Sequence, residues 1–246
     1  MHGSSVEPAS YLRKPQQPDG LGSSGCWIGG EPTLPTEIEW PYYKAPDGTS
    51  VPMHFLAQIN LDQVPLTSAQ TGLPEHGTLF FFYDTIVAPC FAIGTKEECK
   101  VIYVEADVSE IPTRPMPRFE IPDEYQMLTF WYAKKPTCGY QRHNVVLIED
   151  LDDEPEPARR SFFEWLWGNA PKSAFKNANG APYFLGELRV ETTGDIVGDR
   201  IPLFTMFSDK DIGFQHGDQE GVVFLISTDD MNNLNFDNVI LLTDTR

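Results

Sequence analysis

Long apolar runs are missing from this sequence of 246 residues. The two longest, 79–83 and 222–226, fall far short of the roughly 20 residues that a helix needs to cross a bilayer. The N-terminal segment also lacks the apolar middle of a secretory signal, and its basic pair, Arg13 and Lys14, follows polar residues. These absences predict a soluble, cytoplasmic protein that has no membrane partner.

Basic residues are scarce as well. The chain has 18 Lys and Arg against 36 Asp and Glu, which gives a formal net charge of −18. A phosphate backbone must be neutralised by Lys and Arg, so this balance disfavours nucleic acid as a partner. Two interpretations stay open: a basic protein partner selected by electrostatics, or acidity that serves solubility alone.

Cysteine is rare and shows no metal-binding spacing. Cys26, Cys90, Cys99 and Cys138 contain no Cys-x-x-Cys pair, and a chain of this length needs no disulfide to hold a core. We predict four free thiols. The absence of any Asn-x-Ser/Thr site agrees with a chain that stays outside the secretory route.

The common catalytic motifs are absent too. Phosphate-binding loops, the Gly-x-Ser-x-Gly elbow and the His-Glu-x-x-His zinc motif do not occur. Residues 20–25 match Gly-x-Gly-x-x-Gly, but no strand precedes them and no helix follows, as dinucleotide binding requires. Cys138 and His143 form the only thiol–imidazole pair that is close in sequence, which we interpret as accidental. We therefore predict no catalytic residue, no cofactor and no enzymatic activity.

Short apolar runs rich in β-branched and aromatic residues are abundant instead, separated by Pro, Gly and Asp. They predict strands at 53–59, 78–83, 100–105, 127–132, 145–149, 183–190, 203–207, 222–226 and 239–242. One helix is predicted over 158–169, with short helical turns after Asn60 and Asp229. The sequence thus predicts an α+β fold that is dominated by β-structure and has few short helices.

The strand pattern occurs twice in the same order. In the first half, Pro52 lies at the start of a strand, Gly77 precedes a second apolar strand, and a third follows at 100–104. In the second half, Pro202, Gly221 and the strand at 238–242 take the same places. An internal duplication is the simplest account. We predict a flexible N-terminal arm at 1–25, a first β-rich half at 26–148, an acidic linker or loop at 149–158, and a helix with the second half at 159–246. The whole forms one compact unit.

A candidate contact surface lies at the predicted linker. Residues 149–157 carry six carboxylates in nine positions, and the aromatic helix that follows places tryptophans beside them. Aromatic anchors with a charged rim are typical of protein interfaces, although the same rings could cover the β core. The predicted partner-binding residues are Asp150, Asp152, Asp153, Glu154, Glu156, Trp165 and Trp167.

A metal site is the alternative. The 208–218 loop gathers Asp209, Asp211, His216 and Asp218, and His54 and His76 fall in the equivalent region of the first half. Oxygen-rich loops can bind Mg²⁺ or Ca²⁺, and His with Asp can bind a transition ion. Asp and Gly are also what turns between strands require, so both interpretations stay open.

Several blocks of sequence resemble the YwqG-like family of largely uncharacterised bacterial proteins. They are GGEPTLP at 29–35, Trp40-Pro41, FLAQINLDQVP at 55–65 and LPEHGTLFFFYD at 73–84. Ser208-Asp209 and His216-Gly217-Asp218 stand where that family has Ser-Asp and Trp-Gly-Asp, with His216 in place of Trp. Only Gly139-Tyr140-Gln141 represents the central Gly-Tyr-Pro element.

The resemblance implies an intracellular α+β protein with two similar β-rich halves and no accepted activity. Some members of such families are thought to be immunity proteins encoded beside secreted toxins. Together with the charge, this predicts a non-enzymatic protein that binds a basic cognate toxin, for example a nuclease, and occludes its cleft. The alternatives are a metal-dependent or small-molecule enzyme that uses the 208–218 loop, and a housekeeping interaction scaffold.

Overall fold

Strands dominate the computed structural model. It describes residues 10–13, 25–64, 72–85, 93–108, 110–120, 123, 142–144, 146–148, 183–184, 198–207 and 221–243. Its strands are β1 (Ser10–Arg13), β2 (Trp27–Ile28), β3 (Tyr42–Lys44), β4 (Ser50–Pro52), β5 (His54–Asn60), β6 (Thr78–Tyr83), β7 (Ile93–Thr95), β8 (Cys99–Val104), β9 (His143–Asn144), β10 (Val146–Ile148), β11 (Tyr183–Phe184), β12 (Arg200–Phe207), β13 (Gly221–Ser227) and β14 (Ile240–Thr243).

The helices in the described ranges are few and short. A 3₁₀ turn, η1 (Leu61–Gln63), follows β5, and α1 (Thr228–Asn232) and a second 3₁₀ turn, η2 (Phe236–Asn238), lie between β13 and β14. The Ser227 side chain caps α1 by accepting from the Asp230 N–H, and Asn60 caps η1 in the same way. Within the described ranges, no helix is long and apolar enough to span a bilayer.

Two large antiparallel sheets organise the chain. The first has five strands in the order β8-β6-β5-β2-β9, and the second has seven in the order β10-β1-β11-β12-β13-β14-β7. A separate hairpin joins β3 to β4 through a tight turn, in which Gly48 adopts φ +91 and its N–H donates to the carbonyl of Ala45. The predicted β-dominated fold with few short helices is confirmed.

The main core lies between the two sheets. Alternate residues of β6, Leu79, Phe81 and Tyr83, face a cluster that also contains Val222, Phe224 and Ile226 of β13. Phe81 packs against Phe204 and Phe224 with ring centroids 4.8 and 5.3 Å apart. The packing of these rings holds the two sheets together.

A second core covers the opposite face of the first sheet. Phe80 and Phe82 of β6 pack there against Trp40 and Phe55, and an extended segment, 110–120, contributes Met116 and Phe119 at its margin. Strand β6 is therefore buried on both faces, which explains why TLFFFY is a continuous apolar run rather than an alternating one.

The two sheets contain matching three-stranded units. In the first sheet β5, β6 and β8 pair in sequence, and in the second β12, β13 and β14 do the same. Each first strand carries one extra residue where the register shifts, Leu56 between Phe55 and Ala57 and Leu203 between Pro202 and Phe204. Directly after each bulge, Ala57 is opposite Phe81 in the first unit and Phe204 is opposite Phe224 in the second. Phe81 therefore corresponds to Phe224, and Ala57 corresponds to Phe204.

Most predicted strands in the described ranges exist. Strand β6 has the predicted bounds, and β5, β8, β10, β12, β13 and β14 lie within a few residues of theirs. The two predicted short helical turns are present as η1 and α1. The pattern missed six short strands, β1, β2, β3, β4, β7 and β9, among them Ser10–Arg13 within the segment predicted as an N-terminal arm. The predicted strand at 127–132 and the helix at 158–169 lie outside the described residues.

Candidate functional site

A buried polar group lies at one end of the first sheet. His54 begins β5 opposite Tyr83, the last residue of β6, and Asp84 and Thr85 follow directly. All three polar residues are at most 5% exposed, and the Thr85 hydroxyl hydrogen-bonds the Nδ1 atom of His54. Burial lowers the pKa of His54 to about 4. The imidazole is therefore neutral near pH 7 and too weak a base for general-base work there.

Carboxylates surround this end of the sheet. The Asp84 N–H donates to the carbonyl of Glu98 at 2.8 Å, and the Thr95 hydroxyl donates to Glu98 Oε2 at 2.6 Å. Burial raises the pKa of Glu98, and the charges of Asp84 and Glu97 add to that effect. We call His54, Asp84, Thr85 and Glu98 the His54 cluster. Burial raises the pKa of the neighbouring Tyr43, and the negative charges of Glu98, Asp84 and Glu97 raise it further.

An exposed ion pair lies at the other end of the same strands. His76, just before β6, donates from Nδ1 to Asp62 Oδ1 of η1 at 2.6 Å. The His76 side chain is 78% exposed, and the hydrogen bond with Asp62 raises its pKa. The Leu61 N–H donates to the carbonyl of Gly77, and the Tyr103 hydroxyl donates to that of His76. The segment before β6 is thus held by hydrogen bonds to its main-chain carbonyls.

The sheet separates these two histidines. The β5–β6 ladder runs from His54 opposite Tyr83 to Asn60 opposite Thr78, so the ends are about 20 Å apart at roughly 3.3 Å per residue. His54 and His76 therefore cannot share a metal ion, although the sequence places both in the region of the first half that is equivalent to the 208–218 loop. In the part of the chain that the structure describes, no group of three or more His, Cys, Asp or Glu side chains could hold one.

The other predicted site residues lie outside the described residues. This holds for the partner-binding set, Asp150, Asp152, Asp153, Glu154, Glu156, Trp165 and Trp167, and for the alternative metal set, Asp209, Asp211, His216 and Asp218. Cys138 is outside as well, so the accidental pair with His143 stays a prediction. Two of the four predicted thiols, Cys26 and Cys99, are confirmed: neither forms a disulfide, both are buried, and burial raises the pKa of each.

Sequence reasoning missed a buried amide that joins two of the motif blocks. Gln58, fully buried in β5, accepts hydrogen bonds from the N–H and the hydroxyl of Thr33 at 3.1 and 3.0 Å, and donates to the carbonyl of Gly25. A polar residue within the apolar run FLAQINL was the available signal. The FLAQINL and GGEPTLP blocks are therefore one structural unit, whose role is to hold the 25–35 segment on the sheet.

Two arginine side chains lie over aromatic rings beside this unit. The guanidinium of Arg142 lies over the buried ring of Trp27, 3.6 Å from its centroid. Arg114 lies over Trp40 at 5.8 Å and donates to the carbonyl of Ile38 at 2.6 Å. These contacts fix the 110–120 segment and the start of β9 against the first sheet, and they are structural rather than catalytic.

Comparison with known proteins gives a family without an assigned activity. A domain of unknown function, DUF1963, matches residues 27–244, so the chain belongs to that family. No curated protein matches the chain.

Proposed function

We propose that this DUF1963 member is a non-enzymatic cytoplasmic binding protein. In this proposal it is an immunity protein that neutralises a basic toxin, with a nuclease as the expected class, by covering its active cleft. The partner is a basic protein rather than a nucleic acid or a membrane. Membership of the YwqG-like family is part of the same proposal. It is supported by the sequence blocks that resemble that family.

The charge balance carries this proposal. With 36 carboxylates and 18 basic side chains, one-to-one pairing within the chain would leave half of the acids without a basic partner. Such a surplus gives a surface potential that attracts a cationic protein and accelerates association.

The described surface is consistent with this use of charge. Exposed carboxylates such as Glu37, Glu39, Glu97, Glu105 and Glu110 come from separate loops of the first half. The negative field around the His54 cluster has the same sign, and it acts on Tyr43. A partner with a basic cleft would therefore meet favourable potential over more than one loop, while the acidic 149–157 segment supplies the highest local density.

Recovery of the partner tests the proposal first. The tagged full-length chain, expressed in its native host, should co-purify with a basic polypeptide, and adding the chain should inhibit that polypeptide's activity. Binding should weaken steeply as salt rises, because exposed charges are screened. Recovery of no basic polypeptide, or binding without inhibition, would contradict the immunity role.

Charge reversal tests the contact surface. Changing Asp150, Asp152, Asp153, Glu154 and Glu156 to Lys should lower the association rate by about 10-fold or more. The matched control reverses five exposed glutamates outside that segment, Glu37, Glu39, Glu97, Glu105 and Glu110. It changes the net charge equally and should lower the rate less, because these charges are spread over separate loops. Equal losses in both variants would mean that total charge matters and the 149–157 segment does not form the contact.

The duplication belongs to the same proposal. The matched order of β5-β6-β8 and β12-β13-β14, and the equivalent bulges at Leu56 and Leu203, support an origin from one repeated unit. Two contacts support a two-fold relation between the units. Phe81 packs on its counterpart Phe224, and the Cys99 thiol donates to the carbonyl of its counterpart Val239. A two-fold axis brings equivalent residues together in this way.

A further inference from the structure

The N-terminal strand occupies an unusual place in the second sheet. Strand β1 pairs with β10 on one side and β11 on the other, and Tyr11 is opposite Ile148 in one ladder and Tyr183 in the other. Both ladders are antiparallel. A four-residue strand close to the chain terminus thus lies inside the sheet rather than at its edge.

Strand β1 also joins β10 to the rest of the sheet. Among the described strands, β1 is the only one that pairs with β10. Since β10 and β11 are both antiparallel to β1, they run parallel to each other and lie about 10 Å apart, twice the usual strand spacing. Without β1 they would leave a slot with unpaired N–H and C=O groups on both sides, which costs free energy.

We propose that this slot between β10 and β11 is a strand-binding site for an extended peptide, and that the β1 strand of a second copy of this chain fills it when two chains exchange their N-terminal segments. The exchanged strand would make the same two ladders, because its sequence and register are the same. Exchange of an identical element is a low-cost route to a dimer.

The connection to β2 sets the balance between the two arrangements. Residues 14–24, KPQQPDGLGSS, contain two prolines, two glycines and two serines, and can span at most about 40 Å. This limit on the span keeps the chain's own strand near its slot, at an effective concentration that we take to be about a millimolar, as for other short connections. The chain should therefore fill its own slot at micromolar concentration and exchange at concentrations near a millimolar.

A peptide-binding experiment on the full chain tests the site. Tyr11→Pro removes a ladder N–H from a strand that is paired on both sides, so it should empty the slot. Tyr11→Phe keeps the backbone and is the matched control. The probe is a labelled synthetic peptide of residues 6–16. We expect it to bind Tyr11→Pro at least 10-fold more tightly than wild type or Tyr11→Phe, and a peptide with Pro at position 11 should not bind.

Two further measurements keep the result decisive. If Tyr11→Pro does not fold, hydrogen exchange on the wild type replaces it: amides of 10–13 and 146–148 should open together and before those of β12 and β13. Light scattering near 1 mM should give a dimer for wild type and a monomer for folded Tyr11→Pro. Equal peptide binding by all variants, opening of β1 only with global unfolding, or no concentration-dependent dimer would overturn the proposal.

Discussion

The burial of His54 predicts a specific loss of stability in acid. Its folded pKa of about 4 lies below the value of about 6.5 that an unfolded chain would show. As pH falls below 6.5, His54 binds a proton in the unfolded state but stays neutral in the folded state. The contribution of this group is therefore fully present above pH 6.5 and is lost as pH falls through 4.

The size of the effect follows from that interval. Each pH unit between the two pKa values costs about 1.4 kcal/mol, so the unfolding free energy should fall by about 3 kcal/mol between pH 7 and pH 4. That is a large fraction of the 5–15 kcal/mol or so that is typical of folded proteins. A group that is 5% exposed and hydrogen-bonded by Thr85 has little opportunity to relax toward solvent.

The perturbation is His54→Gln, which keeps a polar side chain beside Thr85 but does not titrate. Urea unfolding at half-unit steps from pH 8 to pH 4 gives the free energy of unfolding for both proteins. The wild-type curve should fall more steeply than that of the variant below pH 6.5. Subtracting one curve from the other removes the carboxylates, which titrate in both proteins.

His76→Gln provides the control of opposite sign. Its hydrogen bond with Asp62 raises the folded pKa of His76, so its stabilisation is present below pH 6.5 and is lost as pH rises through the folded pKa. The difference curve for His76 should therefore slope the other way and lie at higher pH. Parallel curves for wild type and His54→Gln between pH 7 and pH 4 would refute the reasoning about His54.

Three other predictions concern the packing and the buried amide. Gly30→Ala should destabilise the chain by more than about 2 kcal/mol, since Gly30 has φ +69 and a new Cβ would add a contact 2.8 Å from Arg142 Cβ to the backbone strain. Gly48→Ala, at φ +91 with open space, should cost only the backbone strain of about 1–2 kcal/mol, and equal thermal melts would contradict the steric argument. Phe81→Ala should cost about 3–5 kcal/mol in urea unfolding, because it opens a cavity against Phe204 and Phe224; a loss below about 1 kcal/mol would mean that the sheets do not pack there. Gln58→Leu should cost about 2–5 kcal/mol by leaving the Thr33 N–H and the Gly25 carbonyl unpaired, whereas Gln63→Leu, on the exposed η1 turn, should change stability by less than about 0.5 kcal/mol.

The predictions that succeeded came from short, strongly apolar runs. Strands β5, β6, β12 and β13 carry enough Phe, Val, Ile and Leu to be recognised as buried strands, and burial on both faces makes the signal stronger. The turns after Asn60 and around Asp229 were predicted as well, and in the structure the side chains of Asn60 and Ser227 cap them. Such signals lie within a few residues, so single-sequence reasoning can find them.

The strands that were missed are short and depend on distant partners. Trp27–Ile28 and His143–Asn144 are two-residue strands that exist because β5 and β2 offer backbone groups to them. The same holds for Ser10–Arg13, whose polar surroundings predicted an arm, while β10 and β11 provide a ladder on each side. Local propensity does not report such partners, since they lie from 29 to 174 residues away along the chain.

The candidate site divides in the same way. The acid surplus and the Asp- and Glu-rich segment can be counted in the sequence, because net charge does not depend on conformation. The pairing of Asp62 with His76, the neutral His54 against Thr85 and the link from Gln58 to Thr33 bring together residues separated by 14 to 31 positions. Only the register of β5 against β6 decides which of these residues meet and which lie at opposite ends of the sheet. Net charge is a sum over residues, which the sequence determines by itself, whereas the short strands, the contacts and the pKa values depend on distance and burial, which only the folded chain decides.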